Sequence, residues 1–162
     1  MGTLVAIDAQ NLYYSARRMA GGRVDFARLR DKIQEAEPSS LSIVYLVRGD
    51  GYDSSGFESL LRGLGYRISP RTAHRVRDSG GRSRLKYDSH AIRISLDACT
   101  KYVDQYDKLV LISGDVDYSD LFAHLERLGK TTEFWSFDRT LSPDLMQTVG
   151  QVVFMDDAIL QD

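Results

Sequence analysis

The sequence predicts an α/β fold: a three-layer sandwich with a mostly parallel central sheet of about five strands. Three observations predict it. Apolar runs with no polar alternation recur along the chain, the pattern of strands buried on both faces. Segments with apolar residues at helical spacing separate those runs, so strands and helices alternate. Two of the runs lead into aspartates, Asp8 after the first and Asp115 and Asp117 after the fourth, on the strand ends where such sheets bind ligands.

The first run, Thr3 to Ile7, closes at Asp8, and Leu12 to Met19 reads as a short helix. Phe26, Leu29 and Ile33 then repeat at helical spacing between Asp25 and Ala36, with Asp25 placed to cap the first turn. Pro38-Ser39-Ser40 breaks the chain before a second buried strand, Leu41 to Val47. The polar, glycine-rich stretch Gly49 to Gly56 feeds a helix over Ser55 to Leu64, whose Phe57, Leu60, Leu61 and Leu64 share a face and which Gly65 stops. Tyr66 to Ser69 begins a third strand. Arg75 to Lys86 reads as a basic loop, and Asp88 as the cap of a long helix to about Tyr102 with Ala91, Ile92, Ser95, Leu96 and Cys99 inward. Lys108 to Ser113 is the fourth strand, followed by a turn at Gly114-Asp115-Val116-Asp117 and a helix from Ser119 or Asp120 to Leu128, stopped by Gly129. Thr131 to Phe137 is the fifth strand. Ser142-Pro143 opens a short last helix, and Gln151 to Met155 reads as a further edge strand.

The 162 residues fit one domain, 1–162, with no linker or internal repeat. No apolar run approaches the length of a membrane span, and the N-terminus lacks the basic region of a secretory signal. One cysteine, Cys99, makes no internal disulfide and reads as a small buried apolar residue in a reducing compartment, so the expected location is cytoplasmic. The net charge of −2 hides an asymmetry. Residues 62–93 carry eight Arg and one Lys against two Asp, whereas residues 101–162 carry five Lys and Arg against twelve Asp and Glu. A polyanion is drawn to the first segment and repelled by the second, so phosphate contact is expected to be local.

Asp8 and Asn11 at the first strand end, Asp115 and Asp117 at the fourth, and Asp88 at the head of the long helix are short oxygen-bearing side chains that one face of the sheet can gather. Carboxylates brought that close repel one another. A hard divalent cation, Mg²⁺ or Mn²⁺, relieves the repulsion and can activate water against a phosphodiester. No thiolate or imidazole is placed to compete, which argues against zinc. Bland roles exist: Asp88 and Asp117 as helix caps and Asp115 as a turn residue, whereas Asp8 starts no obvious cap. Asp97 is the weaker ligand, because nine residues place it half a turn from Asp88 on a regular helix.

Other constellations fail. Gly49-Asp50-Gly51 lacks the third glycine of a dinucleotide loop, no Walker A lysine follows, and Gln10 stands where a haloacid-dehalogenase-like phosphatase needs its second acid. His74, His90 and His124 are scattered and read as surface or helix residues; His74 lies in the basic segment, where it could touch phosphate. Arg75, Arg77, Arg82, Arg84 and Lys86 lead into Asp88 and read as a nucleic-acid-binding set. Tyr13, Tyr14, Tyr52 and Tyr118 lie near strand ends, where aromatic rings stack on unpaired bases.

Asp8-Ala9-Gln10-Asn11-Leu12-Tyr13-Tyr14, Lys86-Tyr87-Asp88 running on to Leu96-Asp97-Ala98, Ser113-Gly114-Asp115-Val116-Asp117-Tyr118, and Gly129-Lys130 before Thr131-Thr132-Glu133 together resemble the NYN domain, a branch of the PIN-like metal-dependent nucleases, over residues 3 to 137. The third motif is the most distinctive. The resemblance implies a PIN-like (Rossmann-like) parallel sheet, Mg²⁺ or Mn²⁺, and endoribonuclease activity leaving 5′-phosphate and 3′-hydroxyl ends. It makes Asp8, Asp88, Asp115 and Asp117 the metal-binding and catalytic acids, with Asn11 orienting Asp8 or touching the scissile phosphate. RNA is the implied partner, single-stranded regions ahead of duplex, with DNA a further candidate and no membrane. PIN-like domains often pair, so a homodimer fits the same reading. Tyr87 departs from the pattern, since a small residue commonly precedes the central acid. The alternatives are a catalytically weak or inactive RNA-binding or regulatory module on the same scaffold, and a phosphoesterase for small substrates.

Overall fold

The computed structural model describes residues 2–49, 54–86, 90–114 and 118–162, the side chain of Leu85 excepted. The chain runs β1 (Gly2–Asp8), α1 (Ala9–Ser15), α2 (Phe26–Ala36), β2 (Ser40–Arg48), α3 (Ser55–Gly63), β3 (Arg67–Thr72), β4 (His74–Arg77), β5 (Ser83–Lys86), α4 (His90–Leu96), β6 (Tyr106–Ile112), α5 (Ser119–Arg127), β7 (Thr131–Ser136), α6 (Pro143–Thr148) and β8 (Gln151–Phe154). Six strands form one sheet in the order β3-β2-β1-β6-β7-β8, every neighbouring pair parallel. The sheet thus has one strand more than expected, because the edge segment 151–154 pairs with β7.

The four central strands, β1, β2, β6 and β7, are largely apolar on both faces because each face is covered. Val5, Ile7, Val44, Val110, Ile112 and Trp135 pack under the helices of the first half, against Leu12, Leu29, Ile33 and Leu61. Leu4, Ala6, Ile43, Tyr45, Leu109, Leu111 and Phe134 meet the helices of the second half through Ile94, Ala98, Phe122, Leu125 and Leu145. Burying each such side chain contributes roughly 1.5–3 kcal/mol. Local signals agree with this packing. Asp25 accepts from the backbone N–H groups of Ala27 and Arg28 and caps α2. Ser142 caps α6 with Pro143 in its first turn. Gly65 and Gly129 follow α3 and α5 with φ of +92° and +79°.

The chain winds outward from β1 to β3, then returns across to β6 on the other side of β1. This reversal puts the carboxyl ends of β1 and β6 beside a crevice, the switch point at which doubly wound sheets bind ligands.

Three local readings are corrected. The stretch 75–86 is not simply a loop. His74–Arg77 and Ser83–Lys86 pair as an antiparallel hairpin, turned by Asp78, whose carboxylate accepts from the N–H groups of Gly80 and Arg82. The inward face of α4 is His90, Arg93 and Ile94, continued by Ala98 in a π-helical turn over Asp97–Lys101, whereas Ile92 and Leu96 are 62% and 57% exposed. On α3, Leu61 is buried but Phe57 and Leu60 stand at the surface.

Candidate acidic site at the switch point

Asp8 is the last residue of β1 and lies on the same side of the sheet as Leu4 and Ala6, facing the second-half helices. It is fully buried. Its Oδ1 accepts from the backbone N–H of Asn11 at 3.3 Å, so Asp8 is the N-cap of α1, a role the sequence did not disclose. Its Oδ2 accepts three side-chain bonds: Asn11 Nδ2 at 2.8 Å, Ser113 Oγ at 3.1 Å and Tyr118 OH at 3.1 Å. A cap needs one of these bonds. The other three bring α1, the end of β6 and the entry to α5 onto one carboxylate.

Asn11 thus holds Asp8 through both backbone and side chain, in line with an orienting role. Tyr118 is buried and donates to Asp8, so of the two roles open to it, packing or stacking on a base, it takes packing; Tyr13 and Tyr14 are exposed. Gly114 makes the convergence of α1 and β6 feasible. A Cβ there would stand 2.4 Å from Asn11 O and 2.4 Å from Ser15 Cβ, closer than atoms can approach.

Asp88, Asp115 and Asp117 lie outside the described residues, as do Tyr52 and Tyr87. Among the described residues no group of three or more His, Cys, Asp or Glu could hold a metal. Asp8 itself suits a hard divalent cation. All its donors among the described hydrogen bonds are neutral, and Oδ1 carries a single long bond where a carboxylate oxygen offers two lone pairs.

His90 is the functional candidate that sequence reasoning missed. Far from the surface, it is 3% exposed on the first turn of α4. Burial pushes its imidazole below the ordinary histidine value; the Asp8 charge opposes that push and Arg93 reinforces it. Arg93 lies 3.5 Å from His90 Nδ1, donates to the backbone oxygen and hydroxyl of Ser69, and stacks over Tyr45 with 5.3 Å to the ring centroid. The only sequence hint was the position of His90, two residues after Asp88. Asp97 accepts from Tyr45 OH at 2.8 Å; Tyr45 is the register partner of Asp8 on β2. That bond gives Asp97 a structural role.

The basic set lies on the hairpin, and Arg75, Arg77, Arg82, Arg84 and Lys86 are all exposed. Register divides them. His74 opposes Lys86 and Val76 opposes Arg84, so Arg84 and Lys86 share one face while Arg75 and Arg77 share the other, with Arg82 in the turn. His74 is exposed on the face of Arg84 and Lys86. No helix among the described residues is long and apolar enough to cross a membrane.

Comparison with known proteins agrees with this architecture. The chain is similar to the Low amplitude and bright protein LabA of Synechococcus elongatus, 26% identical over 156 residues that cover 94% of this chain and 83% of that protein. Its fold matches the crystal structure of a protein of unknown function from Vibrio parahaemolyticus with a TM-score of 0.80, at 24% identity, across 98% of this chain and 95% of that one. A more distant likeness, to MurG of Acinetobacter baumannii, has a TM-score of 0.50 at 12% identity and covers 94% of this chain but 41% of that one. The model of the NYN domain matches residues 2–156, and the chain belongs to the NYN domain family.

Proposed function

We propose that this protein is a metal-dependent endoribonuclease whose acidic site lies at the carboxyl ends of β1 and β6. NYN domains are generally ribonuclease-like, and PIN-like nucleases generally use divalent metals. The observation that carries the reading is Asp8: a buried carboxylate at the switch point, gripped by four neutral donors and no cation among its described hydrogen bonds. A carboxylate held that way is fixed in place with no cation among its described hydrogen bonds, which suits it to ligate Mg²⁺ or Mn²⁺ together with Asp88, Asp115 and Asp117. A cation bound there supplies water activation and neutralises charge developing on the phosphoryl oxygens. The chain's own residues do the rest. Asn11, Ser113 and Tyr118 fix the Asp8 carboxylate. One face of the hairpin, Arg84 and Lys86 or Arg75 and Arg77, holds the backbone of an unpaired RNA strand, with Arg82 reaching from the turn.

The burial of Asp8 favours a second reading, an RNA-binding module with little or no catalysis, because no solvent reaches the carboxylate in this conformation. One experiment separates the two: cleavage of a labelled mixed-sequence RNA by wild type, Asp8→Asn and Asp115→Asn in Mn²⁺, Mg²⁺ or EDTA. The nuclease reading expects metal-dependent cutting that drops by about 100-fold or more in either variant. Metal-independent binding without cutting would establish the binding module instead.

A further inference from the structure

A surface outside both the acidic site and the hairpin carries the chemistry of a nucleotide. A cavity of about 560 Å³ opens between α1, the start of α2 and α3, walled by Leu12, Tyr13, Phe26, Phe57, Leu60 and Leu64. A second cavity of about 260 Å³ adjoins it, sharing Ala9, Tyr13, Phe26 and Phe57 and adding Tyr14. Tyr13, Tyr14, Phe57 and Leu60 are each more than a third exposed, so the walls form a contiguous apolar patch where isolated surface hydrophobics would need no explanation. Phe57 stands edge-on to Phe26 at 5.4 Å between centroids, and Tyr14 edge-on to Tyr13 at the same separation.

The rim is cationic. Arg17 donates to Tyr13 OH at 2.8 Å and lies over its ring at 5.6 Å, and Arg23 lines the larger cavity. The Arg17 hydrogen bond holds the Tyr13 phenol below its ordinary value, and the charges of Arg17 and Arg23 act in the same direction. Among the described lining residues Asp25 is the one acid, and its carboxylate is committed to the first N–H groups of α2 and to Arg28. Rings for a base face, arginines for a phosphate and no uncommitted carboxylate among the described lining residues form a combination that an apolar peptide would not require.

We propose that this cavity takes an unpaired base of the RNA substrate, with Arg17 and Arg23 holding the adjoining phosphate. The proposal rests on the ribonuclease reading and adds a place for the strand, since Ala9 lines both cavities and directly follows Asp8. The strand would then run from the cavity past the acidic site, and a base next to the scissile bond would be read by stacking, which tolerates any base identity.

The test is photocrosslinking of single-stranded RNA carrying 4-thiouridine to the full chain in EDTA, with peptide mapping, alongside affinity measurements on Phe57→Ala, Tyr14→Ala and Phe57→Trp. The proposal expects crosslinks on α1 and α3, about tenfold weaker binding for each alanine variant, and recovery in Phe57→Trp, whose ring still stacks. Tyr14, 60% exposed, guards against the chance that truncating Phe57 disturbs its packing on Phe26. Crosslinks confined to the hairpin with affinity unchanged in the alanine variants would overturn the cavity and leave the nuclease standing. A change from dimer to monomer in Phe57→Ala, without loss of RNA affinity, would overturn it in favour of contact between copies. Wild type that neither binds nor cuts RNA would overturn the ribonuclease reading itself, and the cavity's role with it.

Discussion

At the amino end of the central sheet, Glu37 and Glu133 converge on one cation, Lys108. Its ammonium lies 2.9 Å from Glu133 and also contacts Glu37. Thr3 donates to Glu37 at 2.8 Å and Trp135 Nε1 to Glu133 at 2.7 Å, which completes the cluster. Burial alone would pull Lys108 down, but its hydrogen bonds to the two glutamates raise it above the ordinary lysine value. At the carboxyl end, Asp8 is buried more deeply than either glutamate and takes four hydrogen bonds, yet its described donors are an amide N–H, a carboxamide and two hydroxyls. Both ends satisfy their carboxylates geometrically. Lys108 cancels the charge of its two glutamates, whereas Asp8 has no cation among its described hydrogen bonds. A carboxylate matched to a fixed cation is closed to a second one, whereas a carboxylate held by neutral dipoles still attracts a cation from solution. On the proposed function, the difference divides architecture at one end from chemistry at the other.

The comparison breaks most sharply if the wrong end carries the activity. Asp8→Asn should reduce cleavage by about 100-fold or more, while stability falls by only about 1 kcal/mol, because the asparagine oxygen can still accept the three bonds made to Oδ2. Lys108→Met should do the reverse. It leaves one buried and one partly exposed carboxylate without their cation and should lower stability by about 2 kcal/mol, with cleavage per folded molecule unchanged. Urea unfolding and single-turnover cleavage of both variants would decide. A Lys108→Met protein that stays stable but loses activity would undo the division of labour.

Gly114→Ala sharpens the same contrast from the side of the backbone. Its Cβ collides with the carbonyl of Asn11 and with Ser15, so α1 and the end of β6 must move apart by a fraction of an ångström or more. The expected cost is about 2 kcal/mol of stability, typical of overpacking. A loss of cleavage beyond what the unfolded fraction explains is also expected, because Ser113 and Asn11 would no longer share Oδ2 of Asp8. Retained cleavage would mean that the two elements need not meet for the site to work.

How much of this was legible in the sequence follows the same physics. The four central strands could be read because strands buried on both faces are dominated by apolar residues, and Asp25, Ser142, Gly65 and Gly129 could be placed because caps and stops are local. The hairpin could not. His-Arg-Val-Arg and Ser-Arg-Leu-Lys bury little surface, so no hydrophobic period marks them, and only the pairing reveals them as strands. On α4 the apolar stripe pointed the wrong way because the buried face admits His90 and Arg93, whose polar atoms are engaged by one another, by Ser69 and by the field of Asp8. Tertiary partners, invisible to local pattern, decided that face. For the site, Asp8 and Asn11 were found from their place after a buried run. The grip of Ser113 and Tyr118 was not, since hydroxyls carry no distinctive spacing.

Between the extremes lies Glu58, a carboxylate at the carboxyl end that does have a cation. Arg48 reaches it at 2.6 Å and 2.9 Å, and Ser54 Oγ donates at 2.6 Å. The Arg48 hydrogen bond first, then that of Ser54, pull Glu58 from 4.5 down to about 2. A carboxyl group depressed in the folded state stabilises the fold at pH values above 4.5, and that stabilisation is lost as the pH falls toward about 2. Arg48 is 44% exposed, so solvent screening brings the whole contribution to about 2 kcal/mol. Wild type should therefore lose about 1 kcal/mol more than Glu58→Gln between pH 6 and pH 3, read as the shift of the urea midpoint. An equal loss in both proteins would mean that Arg48 does not hold Glu58 in solution. The carboxyl end would then have lost an ion-paired anchor, and the contrast between a neutralised end and an open end would sharpen.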